Sequence, residues 1–134
     1  HNDIKSAMEN KLPYIDQGLT ALLTDLNERG LLENTMVVLA TEFGRTVKIN
    51  DTAGRDHWPK AFSIALAGGG LKHGIIHGKT DPRGAEPASD PVSPADLAAT
   101  LYAQLGIDPH GRLMSPGNRP IDIVRQGNRI ETLV

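Results

Sequence analysis

The sequence contains no cysteine among its 134 residues, which excludes thiol catalysis, zinc–thiolate sites and disulfides. Aromatic residues make up only 4% of the chain, which argues against a platform for stacking single-stranded nucleic acid or sugar rings. The net charge is −2, with acids and bases interspersed. Because no basic stripe is present, the sequence predicts no nucleic-acid partner.

Long hydrophobic runs are also lacking, so no membrane span is predicted. The first methionine is Met8, and we therefore expect a processed chain or a part of a longer one. The absent start removes any inference about a signal peptide. No Gly-x-Ser-x-Gly elbow, P-loop or dinucleotide fingerprint occurs, so we expect no catalytic nucleophile in this chain.

Two helices are predicted from apolar spacing and capping signals. The first has an apolar stripe with helical period, formed by Ile4, Met8, Leu12, Ile15, Leu19, Leu22, Leu23 and Leu26. Pro13 lies inside it and should either kink the helix or start a new one, and Gly30 is typical of a C-terminal cap. The second helix should begin after Ser93 as N-cap, with Pro94 in its first position, and end at Gly106.

Short apolar runs predict the strands. The runs at 35–40 and 61–67 are typical of strands buried on both faces of a parallel sheet. Shorter strands are predicted at 74–78 and 121–124. The alternation of helices and strands predicts an α/β fold with a mainly parallel sheet, and the few strands suggest that more of the sheet lies upstream.

Glu42 directly follows the first predicted strand. In open α/β sheets ligands gather at the carboxyl ends of strands, so Glu42 and Arg45 lie where a metal or an anion would be held. The alternative is a carboxylate that caps a loop or pairs with Arg45. Both interpretations are open at this point.

A long polar loop at 43–60 carries the second group of candidates. Asp56 and His57 would approach Glu42 if the flanking strands are parallel, and carboxylate plus imidazole is a normal ligand set for a divalent ion. The alternative is a loop histidine paired with Asp56 and packed by Trp58. Four cations of this loop could hold an anionic ester: Arg45, Lys48, Arg55 and Lys60.

The remaining histidines carry weaker signals. His73 and His77 would share a face if residues 74–78 form a strand, and could then bind a metal, but exposed edge-strand residues are the commoner case. His110 lies in a Pro- and Gly-containing loop without a partner signal. His1 is either a native ligand or a remnant of a tag.

Several of these segments resemble a known family. Glu-Asn-Thr-Met-Val-Val-Leu-Ala-Thr-Glu-Phe-Gly (33–44) is similar to the strand and metal-binding turn of the alkaline phosphatase and sulfatase superfamily. Glu-Phe-Gly-Arg-Thr (42–46), Gly-Arg-Asp-His-Trp-Pro (54–59) and Ala-Gly-Gly-Gly-Leu-Lys (67–72) resemble the domain of unknown function 1501 family, which is grouped with that superfamily. The resemblance extends over nearly the whole chain.

The resemblance implies that residues 1–134 are the C-terminal segment of a three-layer α/β/α sandwich whose N-terminal part is absent. Members carry a Trp-Asp-x-His motif, and His1 would be its histidine. Glu42 would replace the metal-binding aspartate, and His57 would be the later metal-binding histidine, with Asp56 beside it. The implied cofactor is a divalent ion, either zinc, calcium or magnesium.

The resemblance also implies a function. The chain would be part of a metal-dependent hydrolase of phosphate or sulfate esters, inactive alone, with Arg45, Arg55 and Lys48 binding the small anionic ester and the nucleophile in the absent N-terminal part. Family members often carry a twin-arginine signal, which implies an extracytoplasmic location. Phe43 stands where many members have a ligating His or Asn, so a non-catalytic binding or structural protein is the alternative. Uncovered apolar surface would further favour a homodimer.

Overall fold

In the computed structural model, which describes residues 1–134, the chain divides into two compact units. The first unit comprises His1–Leu71 and Lys79–Ser89, and the second comprises Lys72–Gly78 and Asp90–Val134. The elements in chain order are α1 (Ile4–Glu28), a 3₁₀ turn (Leu32–Asn34), β1 (Met36–Leu39), β2 (Gly44–Arg45), β3 (His57–Trp58), β4 (Ala65–Gly68), β5 (Lys79–Thr80), β6 (Pro87–Ser89), α2 (Pro94–Gln104), β7 (Arg112–Met114) and β8 (Pro120–Asp122).

Helix α1 begins after Asp3, whose carboxylate accepts a hydrogen bond from the Ser6 backbone N–H at 3.3 Å. It continues through Pro13, so the expectation that a new helix starts there is wrong. Beyond its end, Gly30 has a φ of 67°, the left-handed conformation that the predicted cap requires. Neither helix of the structure combines the length and apolarity needed to cross a membrane.

The strands form four two-stranded sheets, β1–β4, β2–β3, β5–β6 and β7–β8, and every pair is antiparallel. The predicted mixture of helices and strands is therefore confirmed, but no parallel sheet or three-layer sandwich is present in the structure. A parallel pair needs a crossover connection, normally a helix. The segment between β1 and β4 instead folds back on itself as the β2–β3 hairpin, which the polar composition of residues 43–60 did not indicate.

The bounds and burial of the strands differ from expectation in four places, one of which is β8, which spans Pro120–Asp122 in place of the predicted 121–124. Strand β1 lies inside the predicted run, but Val38 and Leu39, which project to opposite faces, remain 40% and 43% exposed, so neither face of the end of this strand is buried. Strand β4 occupies only the end of the predicted run and extends to Gly68. The strand predicted at 74–78 is absent, and the next strand, β5, begins at Lys79.

Helix α2 supplies the core of the second unit. The Ser93 hydroxyl accepts from the Asp96 N–H at 3.1 Å while the Asp96 carboxylate accepts from the Ser93 N–H at 2.9 Å, a capping box. Thr100 is fully buried; its hydroxyl donates to the Asp96 carbonyl at 2.7 Å and accepts from the Ile130 N–H at 2.9 Å. The C-terminal segment is thereby tied to the buried face of α2.

Candidate functional site

The first residues of the chain lie against the turn at residues 50–54. The backbone N–H groups of Asp3 and Ile4 donate to the carbonyls of Thr52 and Ala53 at 2.9 and 3.0 Å. Gly54 is buried beneath them, and a Cβ at this position would lie 1.2 Å from the His1 carbonyl oxygen. Only glycine therefore permits His1 to approach this loop.

Asn50 organises this contact. Its Nδ2 donates to the His1 carbonyl at 3.1 Å and to Asp56 Oδ1 at 3.0 Å. Its Oδ1 accepts from the backbone N–H groups of Thr52 and Gly54 at 3.1 and 2.9 Å. Sequence reasoning did not select Asn50. The signal that could have identified it is Asn-Asp-Thr-Ala-Gly (50–54), a pattern typical of an Asx turn.

Three of the four predicted metal ligands come together at this loop. His1 Nδ1 lies 3.2 Å from Asp56 Oδ1. The His1 and His57 ring centroids are 4.4 Å apart with an interplanar angle of 37°. The other neighbour of the His57 ring is Phe43, at 3.9 Å and 32°. We call His1, His57 and Phe43 the ring stack.

Arg45 adds a cation to the same place. It lies opposite His57 in the β2–β3 pair, so both side chains project from the same face of the hairpin. The Arg45 guanidinium carbon is 5.7 Å from the Phe43 ring centroid, and Nη1 donates to the Arg55 carbonyl at 3.3 Å. Arg45 thus borders the ring stack, while Arg55 contributes its main-chain oxygen.

Glu42, the fourth predicted ligand, is exposed in the turn between β1 and β2. The turn is closed by the Thr41 hydroxyl, which donates to the Phe43 carbonyl at 3.1 Å. Neither a hydrogen bond nor an ion pair joins Glu42 to Arg45, the alternative considered from the sequence. The structure contains no group of three His, Asp or Glu side chains placed to hold a metal ion.

The other candidates lie elsewhere. Lys48 accepts a hydrogen bond through its carbonyl from the Thr46 hydroxyl at 2.9 Å, and its amine is not bonded to the ring stack. In the second unit, His77 Nδ1 lies 2.8 Å from the Thr132 hydroxyl. The same-face pairing of His73 with His77 does not arise, because the strand that it required is absent.

Chemically, the loop joins an imidazole and a carboxylate at the spacing of two ligands on one ion. Two donors that each bind at ~2.0–2.2 Å can lie about as far apart as His1 Nδ1 and Asp56 Oδ1 do. The second imidazole, of His57, is in ring contact with the first. Arg45 supplies a nearby positive charge for an anion.

Comparison with known proteins gives one match. The profile of the family described as "Protein of unknown function (DUF1501)" matches residues 1–134. No curated protein and no solved structure matched the chain. Because the match spans every residue of the chain, the protein belongs to the DUF1501 family.

Proposed function

We propose that this chain contributes the metal- and anion-binding part of a metal-dependent hydrolase of phosphate or sulfate esters, in the alkaline phosphatase and sulfatase superfamily. One observation carries the proposal. His1 and Asp56, which are 55 positions apart in sequence, are joined directly at 3.2 Å, with His57 stacked on His1. Nothing in core packing requires two imidazoles and a carboxylate to meet at an exposed loop.

The donor chemistry fits a divalent ion. Neutral imidazole and carboxylate oxygen are ligands of zinc, and carboxylates also suit calcium and magnesium. The proposed carboxylate ligand also has a supporting hydrogen bond, because Asn50 Nδ2 donates to Asp56 Oδ1 at 3.0 Å and would orient that carboxylate. We propose His1, Asp56, His57 and Glu42 as ligands that metal binding draws onto one ion, since no three of these side chains are placed to hold an ion in this structure. When bound, the ion would act as a Lewis acid toward the ester.

The anion would be held by Arg45 and Arg55. Arg45 is fixed at the edge of the ring stack by its bond to the Arg55 carbonyl. A guanidinium presents several N–H donors in one plane, which suits two oxygens of a phosphate or sulfate group. This arrangement favours a small anionic ester as substrate.

The exposed apolar surface supports the further proposal that the chain is the C-terminal part of a larger α/β/α domain with a mainly parallel sheet. Helix α1 buries no residue, and Leu12 and Ile15 are each 51% exposed. Two-stranded sheets are marginal alone and gain stability when more strands or a helix cover them. We propose that the rest of the domain covers these faces and supplies the nucleophile, and that the whole protein works outside the cytoplasm.

The test uses the full-length protein loaded with zinc, calcium or magnesium and assayed with aryl phosphates and aryl sulfates. We expect turnover that chelation abolishes, and none from residues 1–134 alone. Glu42→Ala and His57→Ala should lower both metal affinity and rate, because a lost ligand affects both. Arg45→Gln should mainly raise KM and leave metal affinity unchanged. His73→Ala, an exposed histidine without a proposed role, is the matched control.

The alternative is a non-catalytic binding or structural protein. Its support is Phe43, whose ring packs on His57 at 3.9 Å at a position where many superfamily members have a metal ligand. Absence of turnover across all ester and metal combinations, together with unchanged metal affinity in Glu42→Ala and His57→Ala, would favour this alternative over the hydrolase.

A further inference from the structure

The two residues of β3 point to opposite faces of the β2–β3 hairpin. Successive side chains of a strand alternate, so Trp58 projects away from the face that carries His57 and Arg45. Its partner across the hairpin is Gly44, where the main chain of Ala61 approaches so closely that a Cβ would lie 2.0 Å from the Ala61 carbonyl oxygen. On the side of the hairpin opposite the ring stack, the β2–β3 pair therefore presents one side chain, the Trp58 indole, beside the main chain of Ala61.

A cavity of about 580 Å³ lies against this indole, within the first unit. Its apolar wall comprises Trp58, Val47 and Pro87. This volume is in the range of small-molecule sites, which bury most of a ligand against apolar walls and fix it with a few polar groups. The candidate metal ligands do not line it, so the cavity is distinct from the ring stack.

The wall is held in place by hydrogen bonds. Trp58 Nε1 donates to the Ala85 carbonyl at 2.6 Å, which fixes the plane of the indole. Asp81 Oδ1 accepts from the Ala85 N–H at 2.6 Å and from the Glu86 N–H at 3.4 Å. The Ala85 bond is the main cause of a lowered Asp81 pKa, so this carboxylate stays ionised and keeps the turn closed at neutral pH. A ligand would meet a preformed surface.

The charges around the cavity leave one cation unpaired. The Glu86 carboxylate is bonded to the Lys60 amine, and Asp81 lies 3.6 Å from Arg83. Lys48 also lines the cavity, and its amine has neither a hydrogen bond nor an ion pair. The cavity thus offers one uncompensated positive charge beside an aromatic wall.

We propose that this cavity binds a planar aromatic monoanion, such as an aryl carboxylate, with its ring packed against Trp58 and Val47 and its acid group on Lys48. Aromatic rings gain from stacking and edge contacts beyond the area that they bury. A single exposed lysine complements one negative charge. This binding involves no metal and does not depend on the hydrolase proposal.

The chain contains one tryptophan, so its indole N–H gives a single NMR signal that reports on this wall. Benzoate is the probe, with cyclohexanecarboxylate lacking the aromatic ring and benzamide lacking the charge. We expect benzoate to shift the indole signal saturably, in the presence of EDTA, and both analogues to bind at least about fivefold more weakly.

Substitution of Lys48 provides the second part of the binding test. Lys48→Gln should weaken benzoate binding about fivefold, the order expected for losing one exposed charge contact, and Lys48→Arg should restore most of it. Lys79→Gln removes another exposed lysine of the same unit, one that does not line the cavity, and should have no effect. Lys48 is exposed and its amine is unbonded, so none of these variants should disturb folding.

Four results would overturn the proposal: no saturable shift of the indole signal with benzoate, equal binding of benzamide, equal binding of cyclohexanecarboxylate, or equal weakening by Lys48→Gln and Lys79→Gln. Retention of benzoate binding in EDTA alongside failure of the ester assays would contradict the hydrolase proposal alone. Loss of benzoate binding alongside metal-dependent turnover would contradict this one alone.

Discussion

The two helices have similar ends and different surroundings. Each begins with a side chain that caps the third N–H, Asp3 in α1 and Ser93 in α2, and each is followed by a glycine of positive φ, Gly30 or Gly106. Helix α2 nevertheless buries Ala99 and Thr100 completely, while α1, more than twice as long, buries nothing.

This difference separates what local sequence determines from what packing determines. Caps and glycine ends act within one turn of the chain, so they set helix bounds in both units. Burial needs a partner surface, and most helical stability comes from packing an apolar face. The apolar stripe of α1 has the pattern of a packed face, but no partner surface buries it. Met8 is 40% exposed and Leu22 is 47% exposed.

The largest expected effect is at the buried hydroxyl of α2. Thr100→Val keeps the shape of the side chain but leaves the Ile130 N–H without its acceptor in a buried place, and we expect a loss of about 1–3 kcal/mol in the free energy of unfolding. Thr20→Val, at an exposed position of α1, should change the free energy of unfolding by less than about 0.5 kcal/mol. Urea denaturation of both variants compares the helices directly. Equal losses of unfolding free energy would contradict the view that α2 is packed and α1 is not.

The helix caps should give a smaller difference. Ser93→Ala removes a hydroxyl that is part of a capping box, and should cost about 1 kcal/mol. Asp3→Ala removes a single, longer bond of 3.3 Å and should cost less. Thermal unfolding of the two variants provides the measurement, and a larger loss for Asp3→Ala would show that α1 depends more on its cap than α2 does.

Lowering the pH should destabilise α2 through protonation of Asp96. Hydrogen bonds from the Ser93 hydroxyl, then the Asn128 and Ser93 N–H groups, lower the Asp96 pKa below its ordinary value of 3.8. The folded state therefore favours the ionised carboxylate. Its contribution to stability is fully present above that ordinary value and is lost as the pH falls through the lower folded pKa. Between pH 2 and 5, Asp96→Asn should reduce the slope of the unfolding free energy against pH. An unchanged slope would contradict the role given to Asp96.

The smallest effect is expected on the exposed face of α1. Leu12→Gln and Ile15→Gln should change the free energy of unfolding of residues 1–134 by less than about 0.5 kcal/mol, because neither side chain is buried. In the full-length protein the same variants should cost about 2 kcal/mol or more if the proposed remainder of the domain covers this face. A large loss that grows with concentration in the short chain would instead indicate a homodimer.

Sequence alone predicted both helices, the position of β1 and Ser93 as the N-cap of α2, because these depend on neighbours along the chain. It did not predict that β1 and β4 pair antiparallel, since the pattern of an apolar run does not encode strand direction. The strand expected at 74–78 is absent, because Gly74 and Gly78 adopt φ values of 68° and 77°, which lie outside the extended conformation of a strand.

The metal site stays a prediction, and the structure brings only part of its proposed ligand set together. His1, Asp56 and His57 were selected by residue type, but their meeting depends on backbone bonds from residues 3 and 4 to the 50–54 turn. Only the fold reveals that Asn50 and Gly54 make this contact possible. Sequence also grouped Lys48 with Arg45, although Lys48 lines the Trp58 cavity.

The most direct test of the central claim is a zinc titration followed by the histidine ring signals in NMR. The chain has five histidines, so three of them serve as internal controls. The ring signals of His1 and His57 should shift together and saturate, while those of His73, His77 and His110 stay unchanged, and Asp56→Ala should weaken binding about tenfold or more. Shifts at His73 or His77 in place of His57, or none at any histidine, would contradict the proposed metal site.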